Sequence, residues 1–129
     1  MPFQLTTPGA ILFARAFGVF TASQLDRLAD EAEIVEASRL VALDRITDLT
    51  AVTRFEVGFR EIYYFAVRRS AQRFSRVVKS AIVVQDPVQF GMARIYELLN
   101  ENPQISVRVL QSVREAQEWF ADAGEAPAE

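Results

Sequence analysis

A chain of 129 residues, half of them hydrophobic and 24% charged, is one domain by length and has the balance of a folded globular protein rather than a disordered one. Its net charge of −3 and pI near 5.1 argue against nucleic acid as the main partner. The chain has no Cys and no His, which excludes disulfides, thiolate nucleophiles and sulfur-ligated zinc and removes the commonest general base and metal ligand, so neither a metal nor a cofactor is expected.

No apolar run approaches the ~18–20 residues of a membrane span. The start "MPFQLTTPGA" lacks the basic and apolar regions of a signal peptide, so the expected location is the cytoplasm, without membrane insertion. Along the chain, "FQLTT" and "AILFARAF" flank Pro8-Gly9, the order of a type II turn, and read as an antiparallel hairpin. "TASQ" then places Thr21 and Gln24 as a capping box, in which each side chain satisfies a backbone N–H at the helix start, with Phe20 and Leu25 as a hydrophobic staple. Leu25, Leu28, Ala29 and Ala32 follow at helical spacing.

"RLVAL" (39–43) reads as the next strand, and "TRFE" at Thr53 and Glu56 as the next box. Behind it Phe55, Phe59, Ile62, Tyr63 and Ala66 make a stripe expected to face the core, while Val57, Tyr64 and Phe65 project to another side. In 80–99, "SAIVVQDPVQFGMARIYELL", a near-continuous apolar strand runs into Asp86, Pro87 and Gln89, which open a helix carrying Val88, Met92, Ile95 and Leu99. Gly91 inside that helix suggests close packing on a neighbour. "ISVRVL" (105–110) is the last strand, and Ser112 with Glu115 caps a final helix bearing Val113, Ala116 and Phe120. One domain over 1–123 and a flexible tail over 124–129 are expected.

The order is β-β-α-β-α-β-α-β-α: an α/β fold with one mixed, mainly parallel five-stranded sheet, because strands separated by helices run parallel. Thr21, Thr53, Asp86 and Ser112 should then gather at the carboxyl edge of the sheet, where open α/β sheets usually place their sites.

This arrangement resembles the STAS fold of sulphate transporter tails and anti-anti-sigma factors over residues 2–121. "AIVVQDPVQFGMARIYELL" followed by "ISVRVLQSVREAQEWF" is similar to a bacterial subgroup of stand-alone STAS-like proteins of unassigned function. The resemblance implies a non-catalytic interaction or regulatory domain, homodimeric or bound to a regulatory protein. It also implies a phosphorylated Ser at the start of the second helix. The matching stretch here, "DLTAVTRF" (48–55), offers Thr50 and Thr53 but neither Ser nor Gly, and capping alone accounts for Thr53.

Two further surfaces stand out. Val57, Arg60, Tyr64, Phe65 and Arg68 form the candidate interface, since an exposed Tyr-rich face suits protein contact. Residues 54–79 hold seven cations against two acids, +5, whereas 26–36 hold five acids against one Arg, −4, a pattern open to head-to-tail pairing between subunits. The alternative function is a binder of a small apolar or anionic ligand at the carboxyl edge, using Thr50, Thr53, Gln85, Asp86 and Ser112. Asp44, Asp48 and Asp86 are the best catalytic carboxylates available, but no metal-loop, P-loop or dinucleotide spacing accompanies them.

Overall fold

The computed structural model describes residues 3–122; the tail expected over 124–129 lies outside the described residues. Nine elements alternate as the sequence implies: β1 Phe3–Thr6, β2 Ile11–Thr21, α1 Ala22–Ala37, β3 Asp44–Glu56, α2 Phe59–Ser70, β4 Val78–Val83, α3 Pro87–Leu99, β5 Ile105–Leu110 and α4 Val113–Ala121. They form one five-stranded sheet in the order β1-β2-β3-β4-β5, with β1–β2 antiparallel and every other pair parallel. Gly9 supplies the turn of the hairpin at φ 62°, a left-handed conformation that Gly adopts without a Cβ clash.

Strand order explains the layering. Each crossover from β2 to β5 joins neighbouring parallel strands and steps the same way across the sheet. Right-handed connections therefore deliver α1, α2 and α3 to one face. Leu28, Ile62, Ala66, Ala93 and Tyr96 from those helices share a core with Phe3, Ala14, Leu49 and Ile82 of the sheet. α4 follows the last strand and turns to the opposite face, where Ala116 and Trp119 pack on Ile46, Ala81 and Val83. β4 is thus covered on both sides, which accounts for the apolar run Ala81, Ile82 and Val83 at its end.

Two sequence expectations fail here, and one error causes the other. "RLVAL" is a surface connection: Leu40 is 99% exposed and Val41 stands out beside it, with Leu43 alone tucked into the core. The third strand instead runs over 44–56 and absorbs the presumed "TRFE" cap. Ile46, Thr47, Thr50, Val52 and Thr53 give it the β-branched content of a strand. Two irregularities in its pairing with β2 give β3 extra residues, and Gly18 beside the second sits at φ 70°. Consequently α2 begins at Phe59, six residues after Thr53.

Candidate functional site

The carboxyl edge does collect the helix starts. Each of α1 to α4 follows the end of a parallel strand, with Thr21, Gly58, Asp86 and Ser112 as the capping residues and Gly58 in the place expected for Thr53. At each start the chain itself engages at least one backbone N–H. Thr21 Oγ1 accepts from Gln24 N–H while Gln24 Oε1 accepts from Thr21 N–H. The Glu61 carboxylate accepts from Gly58 N–H at 2.9 Å, Asp86 from Gln89 N–H at 2.9 Å and Ser112 Oγ from Glu115 N–H at 3.1 Å. Gln89 differs slightly from the expected box, since its carbonyl takes Gln85 N–H, one residue before the cap.

An open cleft of about 370 Å³ lies on this edge, lined by Val84, Gln85, Asp86, Pro87, Phe90 and Gln111. It brings together Gln85 and Asp86 of the expected ligand set, with Ser112 adjoining Gln111. Its lining holds a carboxylate and no cation, a poor match for an anion. Thr50 and Thr53 lie within β3, so neither marks a helix start. Thr50 Oγ1 donates to Asp48 at 2.7 Å, and a phosphate there would face that carboxylate. The three candidate catalytic carboxylates are dispersed. Asp44 opens β3 and accepts from Lys79 N–H and Arg76, Asp48 is buried within the same strand, and Asp86 lies beyond the far end of β4. Among the described residues no group of three metal-ligating side chains occurs.

Helix α2 has two apolar faces, but not with the expected membership. Its inner face is Ile62, Phe65, Ala66 and Arg69; Phe65 is half-buried against Tyr96, with ring centres 5.2 Å apart. Val57 is buried just before the helix, so Val57 and Phe65 leave the candidate interface. Phe59 and Tyr63, expected in the core, are outside. They form an exposed run with Tyr64 and Val67, Phe59 being 56% and Tyr64 61% accessible. Ring contacts link Phe59 to Tyr63 and Tyr63 to Tyr64. The shift of the cap from Thr53 to Gly58 explains the exchange, because a stripe counted from Phe55 is centred on the wrong face.

The charge asymmetry is resolved within one chain. Arg68 on α2 reaches Asp30 at 2.6 Å and Glu33 at 2.9 Å on α1, and those hydrogen bonds, Glu33 first, hold its charge well above the ordinary guanidinium range. Arg60 stays exposed beside the aromatic run.

A third constellation was not legible in the sequence. Arg45 on β3 and Arg69 on α2, 3% and 2% exposed, share the Glu36 carboxylate at the end of α1, at 2.8 and 3.6 Å. Arg69 also donates to Gln72, and buried Asn102 donates to the Arg69 and Gln72 carbonyls, fixing the end of α2. Arg45 is pushed down to about 10, first by burial and then by the neighbouring Arg69 charge. With Tyr96 of α3, Arg45 and Arg69 line a cavity of about 70 Å³ between the sheet and the helices.

Strand order, hairpin and helix placement define a STAS-like α/β domain. A solved structure from Shewanella loihica PV-4, described as an uncharacterized protein from the DUF3478 family with a SpoIIAA-like fold, matches it with a TM-score of 0.58 over 91% of this chain and 90% of that one. At 14% sequence identity the likeness establishes a shared SpoIIAA-like fold. No protein-family model matches the chain, and no curated protein matches it in sequence. No helix among the described residues is long and apolar enough to cross a membrane.

Proposed function

We propose that this chain is a non-catalytic STAS-like interaction domain whose contact surface is the outer face of α2 and whose partner is a second copy of itself. The observation that carries this reading is the run Phe59, Tyr63, Tyr64 and Val67, four large apolar side chains exposed along one side of a 12-residue helix. Aromatic rings of this kind supply much of the contact energy at protein interfaces, and a patch that pairs with itself about a two-fold axis closes a dimer. Arg60 at the rim of the patch adds a polar border. The absence of His and Cys from the sequence supports a non-catalytic role.

Sedimentation over a range of protein concentrations tests the reading. A monomer–dimer equilibrium is expected, and Tyr64→Glu should shift it to monomer without altering the circular dichroism spectrum. A chain that stays monomeric at the highest concentrations, before and after substitution, overturns it.

A further inference from the structure

Independently of that surface, we infer that the cavity between the sheet and helices α1 to α3 is a binding site for a small monocarboxylate with a compact apolar body, its carboxylate held by Arg45, Arg69 and Tyr96. Three observations on one set of residues carry the inference.

The first is charge. Two buried guanidiniums share Glu36, and no second carboxylate pairs with either of them among the described residues. An enclosed excess of one positive charge is costly, and a single anion cancels it where a dianion would overshoot. Burial and the mutual repulsion of the two cations already press on Arg45.

The second is hydrogen bonding. Arg45 Nε, Arg69 Nε, Arg69 Nη2 and Tyr96 Oη are buried without a partner. The three guanidinium nitrogens can only donate, and the Tyr hydroxyl is able to, so the guest that satisfies them is an acceptor. An ionised carboxylate offers about four acceptor positions and no donor, which matches the demand in both number and kind. A water accepts only two hydrogen bonds, and its own hydrogens would then need acceptors.

The third is the wall. Beyond the polar end the cavity is lined by Phe20, Leu28, Phe55, Ile62 and Met92, against which an inorganic oxyanion would gain little. Since about 10–15 Å³ of such space holds one water-sized group, 70 Å³ has room for a small acid but not for a long acyl chain.

The test titrates butyrate and isobutyrate into the full chain at constant ionic strength, following the methyl signals of Met92 and Ile62 by NMR. Saturable shifts at both methyls are expected, with butan-1-ol and nitrate each binding at least about tenfold more weakly, the alcohol because it loses charge-assisted hydrogen bonds and nitrate because it has no apolar body to bury. Arg69→Met should weaken butyrate by a similar factor. No saturable shift with either acid overturns the inference, as does equal binding of the alcohol, equal binding of nitrate, or unchanged affinity in Arg69→Met. Should that variant fail to fold, the comparison of acid with alcohol in the unaltered chain still decides.

Discussion

The two ends of the sheet deal with their polar groups in opposite ways. At the carboxyl edge, where α/β sheets usually bind ligands, the side chains of Thr21, Glu61, Asp86 and Ser112 each accept from a backbone N–H at a helix start. At the strand starts, Arg45 and Arg69 carry more charge and more donors than their surroundings answer. The comparison teaches that position in a fold does not by itself mark a site. The unanswered chemistry does, and here it sits at the less expected end.

The strongest way to break this contrast is at Glu36. Glu36→Gln leaves two buried cations uncompensated and should cost about 3–5 kcal/mol in urea unfolding, whereas Arg69→Met leaves one matched pair and should be nearly neutral in the ligand-free chain. Equal losses in the two variants would remove the idea of an excess charge. At the other end, Asp86→Ala deletes a single cap and should cost about 1 kcal/mol in the same assay, independent of added carboxylate. The smallest effect is expected at Gly91. It is exposed, and a Cβ placed there meets nothing within 4 Å, so the close packing suggested by the sequence is not present. Gly91→Ala should therefore stabilise the chain by about 0.5–1 kcal/mol, read as a rise in melting temperature.

Much of the architecture was legible because it rests on local rules. Pro8-Gly9, the caps at Thr21, Asp86 and Ser112, and the apolar run of β4 each specify their element from a few neighbouring residues. β3 was obscured because Arg45 and Asp48 interrupt its apolar character while Thr53 and Glu56 mimic a helix start. "RLVAL" misled in the opposite sense, as an apolar segment that the fold leaves at the surface. The interior cluster had no local signature at all. Glu36, Arg45, Arg69 and Tyr96 come from four elements and look like ordinary surface residues until the helices close over the sheet. The exposed face of α2 lay between these cases, since its existence followed from composition but its membership depended on where the helix began.

Strand order also bears on how the molecule is assembled. Every strand is laid beside the one made just before it, so no gap must be kept open for a segment that arrives later. Such a sheet can grow sideways in the order of synthesis, each new strand and helix finding a finished edge, which keeps loop closures short and contacts local. Cutting the chain after Asn100 would accordingly leave the earlier strand pairs intact, yet it would strip Ala116 and Trp119 from Ile46, Ala81 and Val83 and lay one face of the sheet bare.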